Sequence, residues 1–392
     1  MSYFLNCHII RPSALANMNR GDDGSQKCYH TASGAMRAYI SSQCLNYCYR
    51  KAWAEDGDFS NLSIRTKAVR HQLIQAILAV DPSFTEEEAD LAAGKILDLL
   101  GIKPDGKNSE KSQNAVFMSQ DQYKAIAEIV KNHKDELLKV EKTEPDGDAK
   151  KEQEPADADK KAKDKAKKKK AKEDLSAIMA ELRTAITENV GPEIYLKGSF
   201  VPSNALLTVQ ACWQTAAMTA INDYVPTMDF YSSTDDVLDE NAYLDVQESS
   251  QNLFYEYNVL NLSRLAENVG AEMAAYIAAR AMEKVITVLP DGMQNRFASY
   301  DMPVTALFTI RKRQANLQSA FWAPSHSDDI IAESVKRLGD EAQRMYDSFL
   351  EPPTKAYVIG KDVDLGDVKP ETGRMRDVLA DMQKDITGLL GK

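Results

Sequence analysis

The sequence ISSQCLNYCYRKAW, from Ile40 to Trp53, predicts a two-faced helix directly after a polar loop. Ser42 is a favourable N-cap, because its hydroxyl can accept a hydrogen bond from a backbone N–H of the first turn. One face carries apolar side chains at helical spacing: Leu45, Cys48, Tyr49 and Ala52. The other face carries polar and basic side chains: Gln43, Tyr47, Arg50 and Lys51. We therefore expect one face to pack in a core and the other to remain accessible.

The accessible face of this helix has two interpretations. The helix dipole is positive at the helix start, and donors there, followed by Arg50 and Lys51, suit successive phosphates of a nucleic-acid strand. The alternative is a solvated basic face, which is common on amphipathic helices and contributes little to stability. The residues of this stretch by themselves leave both interpretations open.

Outside the helix, the periodicity predicts two halves separated by a helical block. Residues 3–10 alternate as a strand before the loop and helix. After the block we expect a helix at residues 206–220, a strand at 252–260, a helix at 271–289 and a strand at 304–310. This order favours an α+β fold built on a ferredoxin-like, RNA-recognition-motif sheet that is enlarged by insertions.

A Lys-rich segment interrupts the helical block. Residues 141–174 contain no aromatic and no large apolar side chain, so they cannot bury a core. We interpret them as a disordered insertion or a solvated helix; contact with nucleic acid is the alternative. Its rear part, residues 160–172, holds nine lysines and one aspartate, a net charge of +8, so the rest of a chain with net charge −11 carries −19. Nucleic-acid binding would then depend on a restricted basic groove.

Composition also bears on membrane, metal and cofactor chemistry. No apolar run is long enough to span a bilayer and no signal-peptide pattern is present, so we expect a cytoplasmic protein without a membrane partner. The five cysteines include no CxxC pair, and the five histidines lie far apart without metal-ligand spacing. No Gly-rich phosphate loop is present either. We expect no metal and no cofactor.

Six segments occur in an order that resembles the CasC family of backbone subunits in type I-E CRISPR Cascade complexes. The first runs from Leu5 to Lys27, LNCHIIRPSALANMNRGDDGSQK, and is followed by ISSQ and a helix carrying Arg-Lys. The others are SIRTK from Ser63, IYLKGSF from Ile194, DFYSSTDD from Asp229, LFYEYNVLNLSRLAENVG from Leu253 and PDGMQNRFASY from Pro290.

The resemblance implies a domain organisation. Residues 1–59 would form the first half of a modified RNA-recognition palm, and residues 60–188 an inserted helical finger domain that contains the Lys-rich insertion. Residues 189–392 would complete the palm and include a thumb hairpin at about 198–250.

The resemblance also implies which residues hold a guide RNA (crRNA). The backbone-binding set would be Arg20, Lys27, Ser41, Ser42, Gln43, Tyr47, Arg50 and Lys51. Such contacts position RNA without reading bases, which suits a subunit that accepts any spacer. The aromatic side chains of Phe200, Phe230 and Tyr231 would displace bases in the thumb region. For the adjacent Phe230 and Tyr231, half-buried strand packing is the alternative.

The implied function is that of a noncatalytic backbone subunit. Copies would assemble head to tail along crRNA, present the spacer for pairing with target DNA, and contact the large, small, repeat-handle-binding and crRNA-processing Cascade subunits. The alternative is a metal-dependent RNA endonuclease of the type III kind that uses Asp22 or Asp23. A self-assembling structural protein without nucleic acid is a third possibility. We expect no catalytic residue.

Overall fold

The computed structural model divides the chain into two compact units. Unit 1 comprises Met1–Phe59 and Cys212–Lys392, and unit 2 comprises Ser60–Ala211. The structure describes residues 2–138, 175–201, 204–237 and 241–391, with the backbone alone for 241 and 242. The Lys-rich segment predicted at 141–174 lies outside the described residues.

Strands and helices are both present in quantity, so the predicted α+β class is confirmed. In chain order the strands are β1 (Phe4–Ala16), β2 (Cys28–His30), β3 (Met36–Ile40), β4 (Ser63–Thr66), β5 (Val116–Ser119), β6 (Trp213–Thr215), β7 (Met218–Ala220), β8 (Thr227–Thr234), β9 (Asn241–Asn261), β10 (Thr305–Arg311), β11 (Lys355–Gly360) and β12 (Glu371–Thr372).

The helices alternate with these strands. They are α1 (Ser42–Asp56), α2 (Val69–Val80), α3 (Glu86–Leu99), α4 (Gln120–Asn132), α5 (Lys134–Leu138), α6 (residues 175–188), α7 (Pro192–Lys197), α8 (Leu262–Val269), α9 (Ala271–Thr287), α10 (Gln294–Phe297), α11 (Ile330–Ser348) and α12 (Met375–Leu390). Short 3₁₀ helices occur at Ala205–Leu207 and Gln318–Phe321. Within the described part of the chain, no helix combines the length and apolar character needed to cross a bilayer.

Unit 1 is built on one sheet with the strand order β12-β11-β10-β1-β9-β7-β3-β2. Helix α11 covers one face, where its Leu338 belongs to the same buried hydrophobic cluster as Tyr255 and Val358 of the sheet. Helices α1, α8, α9 and α12 lie on the other face, where the buried Arg11 of β1 donates hydrogen bonds to the last carbonyls of α9. The core of unit 1 therefore lies on both sides of the sheet.

Strand β9 pairs with different strands in its two halves. Its C-terminal part pairs antiparallel with β1, from Ser250 opposite Ala16 to Asn261 opposite Phe4. Its N-terminal part, up to Ser249, pairs antiparallel with β8, and Ser249 lies opposite Thr227. The change of partner thus occurs between Ser249 and Ser250. The chain therefore leaves the main sheet at this point as a two-stranded extension, called here the β8–β9 hairpin.

The start of α1 differs from the prediction by one residue. Ser41 is the N-cap, and its Oγ accepts a hydrogen bond from the backbone N–H of Cys44 at 3.4 Å. Ser42, expected to be the cap, is already in the first helical turn. Both serines can cap, and the extended backbone of Ser41 (φ −68°, ψ 147°) selects it.

The buried face of α1 contains the predicted side chains, with Trp53 added. Leu45, Cys48 and Tyr49 are buried, and Ala52 is half-buried. The ring of Tyr49 stacks on Trp213 of β6 at a centroid distance of 5.5 Å. This packing fixes which face of α1 remains exposed.

The region before the hairpin differs from the predicted helix at 206–220. It contains a short 3₁₀ helix and strands β6 and β7, both of which pair antiparallel with β9. Trp213 lies opposite Leu260 in this pairing. Hydrogen bonding to a long neighbouring strand overrides the local helical spacing.

Unit 2 contains a helical core and the two-stranded sheet of β4 and β5. Residues 189–211, which the sequence analysis placed in the second half of the palm, cluster with unit 2. The reason is that Val201 and Leu207 are buried in its core, while Ser199 pairs with Val209. The division into palm, finger and thumb remains a prediction.

Candidate nucleic-acid interface

The N-terminal loop, residues 17–27, is fixed to the sheet at the base of the β8–β9 hairpin. The side-chain amide of the buried Asn17 donates to the carbonyl of Gly24 at 3.2 Å and to that of Glu248 at 3.1 Å. The backbone N–H of Gln26 donates to Oε1 of Glu248 at 3.4 Å, and its side-chain oxygen accepts from Ser250 Oγ at 2.5 Å. These contacts hold both ends of the loop.

Asn19 joins this loop to the start of α1. Its carbonyl accepts a hydrogen bond from the backbone N–H of Lys27 at 2.9 Å. Its Oδ1 accepts from the backbone N–H of Ser41 at 3.0 Å. One residue therefore places the exposed Arg20 and the half-buried Lys27 beside the first turn of the helix.

The first turn of α1 contributes the three predicted polar residues. Ser41 uses its hydroxyl oxygen as the helix cap, so this oxygen has a structural role. The hydroxyl of Ser42 donates weakly to Oε1 of Gln43 at 3.4 Å. Gln43 is exposed, and it is the most accessible of the three side chains.

The outer face of α1 carries Tyr47, Arg50 and Lys51. Tyr47 is 66% exposed. Arg50 is half-buried, whereas Lys51 is exposed. The Lys51 Nζ lies 2.6 Å from Oδ2 of Asp291, and this hydrogen bond raises the pKa of Lys51. Oε1 of Glu55 lies 3.7 Å from the same Nζ, so an incoming phosphate would have to displace Asp291 and compete with Glu55 for Lys51.

The acidic pair in the loop belongs to a tight turn. Oδ1 of Asp23 accepts from the backbone N–H of Ser25 at 3.0 Å, and the N–H of Gly21 donates to the carbonyl of Ser25 at 2.8 Å. Gly24 adopts a φ of +83°, which favours glycine. Asp22 is exposed. Among the described residues, no group of three or more His, Cys, Asp or Glu side chains is arranged to hold a metal ion.

The β8–β9 hairpin has two different faces. Directly paired residues share a face and successive residues alternate between faces. The register therefore defines a mainly apolar face, called here the apolar face, which carries Met228, Phe230, Leu244 and Val246 together with Ser232 and, at the base, Glu248. It also defines a polar face: Asp229, Tyr231, Tyr243, Asp245 and Gln247. The apolar face is open, since Phe230 is 68% exposed.

The three aromatic residues predicted to displace bases belong to different parts of the structure: Phe200 to unit 2, and Phe230 and Tyr231 to the hairpin of unit 1. Phe230 and Tyr231 point to opposite faces of the hairpin, because they are neighbours in one strand. Tyr231 is half-buried and lies under the guanidinium of Arg296, 4.2 Å from the ring centroid. Phe200 is exposed but belongs to unit 2. Of the pair in the hairpin, Phe230 offers the open aromatic surface.

Four residues that organise this surface were not assigned from the sequence: Asn19, Glu248, Asp291 and Arg296. Arg296 and Asp291 both lie in the segment PDGMQNRFASY, whose resemblance to the family was visible without indicating a role. Their contacts join residues far apart in the chain, so no local pattern predicts them.

Comparison with known proteins places the chain in a family. A family model described as "CT1975-like protein" matches residues 5–383. No curated protein sequence matches this chain.

Two solved structures share the fold. A chain of the structure described as "CRISPR RNA-guided surveillance complex, pre-nicking" has a TM-score of 0.74 at 20% identity, covering 98% of this chain and 99% of that chain. A chain of a "CRISPR RNA-guided surveillance complex" has a TM-score of 0.69 at 18% identity, covering 97% and 99%. Because the family model spans nearly the whole sequence, this chain belongs to the CT1975-like protein family.

Proposed function

We propose that this chain is the noncatalytic backbone subunit of a CRISPR RNA-guided surveillance complex of the type I-E Cascade kind. Its fold is shared over almost its full length with a chain of a CRISPR RNA-guided surveillance complex, and together with the family match this likeness supports a backbone role. The observation that carries the proposal is the junction made by Asn19, which brings the N-terminal loop with Arg20 and Lys27 against the start of α1.

The backbone of crRNA would run along this junction. Arg20 and Lys27 supply positive charge from the loop, while Ser42, Gln43 and the helix dipole supply donors at the start of α1. Lys51 would contribute after exchanging Asp291 for a phosphate. Contacts of this kind are independent of base identity, so any spacer sequence would be accepted.

The β8–β9 hairpin would act on the bases. Phe230 on its apolar face can stack on a base of any type or wedge it out of the strand, at a cost of a few kcal/mol. Repeated once for each copy, this would divide the spacer into regular segments for pairing with target DNA. Copies would associate head to tail, with the other Cascade subunits at the ends and along the filament.

The proposal is tested by purifying the protein from cells with and without its CRISPR array and partner genes, and then sequencing the co-purifying RNA. We expect repeat-spacer RNA in a large complex, whose size increases with spacer length. The charge reversal Arg20→Glu with Lys27→Glu should reduce RNA recovery about tenfold or more.

The control reverses two exposed charges on α12, Arg376→Glu with Lys384→Glu, and should leave recovery unchanged. A large assembly without RNA would favour a purely structural protein. An RNA-free monomer in the presence of the array would contradict the proposal outright.

A further inference from the structure

Arg296 touches both strands of the β8–β9 hairpin. Its guanidinium lies 4.2 Å from the ring centroid of Tyr231 on β8. Its Nη1 donates a hydrogen bond to Oε1 of Gln247 on β9 at 3.2 Å. Tyr231 pairs directly with Asp245, and Gln247 lies two residues beyond Asp245 on the same strand. Tyr231 and Gln247 therefore both lie on the polar face. One side chain therefore clamps the two strands from the same side.

Hydrogen bonds brace the segment that carries Arg296. The buried side-chain amide of Gln294 donates to the carbonyls of Pro290 at 3.1 Å and Ser299 at 2.9 Å, which closes the segment into a compact turn. A Cβ at Gly292 would collide with the carbonyl oxygen of Met18, so the backbone lies directly against the N-terminal loop.

Two non-glycine residues in this segment adopt left-handed backbone conformations. Met293 has a φ of +60° and Ala298 a φ of +48°, on either side of the short helix α10 that contains Arg296. Such conformations cost about 1–2 kcal/mol per residue and persist where the surrounding structure imposes them. The backbone of residues 290–299, which carries Arg296, is therefore held in one conformation by its packing. Such a fixed segment is well suited to hold the β8–β9 hairpin in place.

The hairpin needs such a support. A two-stranded ribbon by itself is marginally stable and twists more strongly than a wide sheet, so contacts with a neighbouring segment help to fix its direction. Further toward the tip of the hairpin, the hydroxyl of Tyr243 donates a hydrogen bond to Asp245 at 2.9 Å. The ring centroids of Tyr231 and Tyr243 lie 6.2 Å apart. These contacts all lie on the polar face and leave the apolar face open.

We propose that Arg296 is a positioning residue that fixes the orientation of the β8–β9 hairpin and so presents its apolar face, including Phe230, at one angle. The clamp itself is independent of the ligand. The presentation of Phe230 to RNA bases rests on the proposed function.

The clamp is tested on the RNA-free protein by amide hydrogen exchange of the hairpin. We expect Arg296→Met and Tyr231→Leu each to accelerate exchange of the hairpin amides about three- to tenfold, as the loss of an exposed cation–π contact predicts. The effect in the double variant should be smaller than the product of the two single effects, because both changes remove the shared contact between Arg296 and Tyr231. Arg296→Lys should be intermediate, since it keeps a cation but loses the planar fork.

The matched control is Arg376→Met, which removes an exposed arginine of α12 that contacts Asp377. It should leave hairpin exchange unchanged, and the strands β1 and β10 should exchange alike in every variant. The clamp would be overturned if the hairpin amides of Arg296→Met exchanged at the wild-type rate, or if the effect in the double variant equalled the full product of the two single effects.

The RNA-bound assembly tests the second half of the proposal separately. With crRNA bound, Arg296→Met should retain RNA but reduce the regular chemical reactivity of displaced bases, as Phe230→Ala should. If the hairpin amides of Arg296→Met exchange faster while the reactivity of the displaced bases is unchanged, Arg296 does not control how Phe230 is presented to the RNA bases. If no RNA is recovered from wild-type cells, the proposed function fails while the exchange measurement still decides the clamp.

Discussion

The side chain of Asn19 and the backbone of Ser41 are joined by a 3.0 Å hydrogen bond in which Ser41 N–H is the donor. Since Ser41 is also the N-cap of α1, this bond connects the N-terminal loop to the point at which the helix begins. The loop carries Arg20 and Lys27, so the bond sets the distance between the loop cations and the helix donors.

Replacing Asn19 should therefore weaken RNA binding more than it weakens folding. For Asn19→Ala we expect a loss of stability of about 1 kcal/mol, the usual value of one neutral hydrogen bond. We also expect a severalfold loss of affinity for crRNA, measured by fluorescence anisotropy. The control is Asn108→Ala in unit 2, which likewise removes a side-chain acceptor from a turn. Equal affinities for the two variants would contradict the role of Asn19.

Because Asp291 pairs with Lys51, we expect the substitution Asp291→Asn to raise the affinity for crRNA. In Asp291→Asn, Lys51 loses the nearer of its two carboxylate partners and keeps Glu55 at 3.7 Å, and an anion beside the RNA path is removed. We expect crRNA to bind about threefold more tightly at low salt, with a smaller gain at high salt because the effect is electrostatic. Salt-dependent anisotropy titrations measure it. Asp340→Asn, which frees Lys336 on α11, should have no effect, and tighter binding there would refute a local cause.

Substitution of Asp22 and Asp23 distinguishes a noncatalytic scaffold from a metal-dependent nuclease. The substitutions Asp22→Asn and Asp23→Asn remove both carboxylates, while an amide oxygen at position 23 can still accept from Ser25. We expect normal assembly on crRNA and no RNA cleavage by either protein in the presence of Mg²⁺. Cleavage by the wild type that disappears in the double variant would establish a metal-dependent endonuclease instead.

The buried His8 predicts a loss of stability in mild acid. Burial, and then the charge of Arg311, lowers the pKa of His8 to about 3, against 6.5 for an ordinary histidine. Between these values the unfolded state binds more protons than the folded state, so stability falls as the pH falls below 6.5. Urea unfolding should show that the wild type loses about 2 kcal/mol from this residue between pH 7 and pH 5.

The matched variant for this measurement is His8→Gln, which keeps a polar side chain next to the Tyr255 hydroxyl. It should lose less stability over the same pH interval, because glutamine does not titrate. Identical losses in the two proteins would show that other groups cause the acid sensitivity.

Local sequence patterns account for the individual elements. The helical spacing of Leu45, Cys48 and Tyr49 predicts the packed face of α1, and alternation predicts β1, part of β9 and β10. The same alternation implies that Phe230 and Tyr231 face opposite ways, although the sequence does not show which side is open. These features depend on residues within one or two turns or strand repeats, so the sequence contains them directly.

Tertiary structure decided what local periodicity could not. Residues 213–220 became strands because β9 offered an antiparallel partner, and residues 189–211 joined unit 2 because Val201 and Leu207 are buried there. The bonds from Asn19 to Ser41 and from Arg296 to Gln247 cross from one element to another. By itself the sequence determined the α+β class, the two-faced helix and the polar loop before it. Their assembly into one surface was decided by packing and hydrogen bonds between distant residues, which depend on the whole sheet being formed.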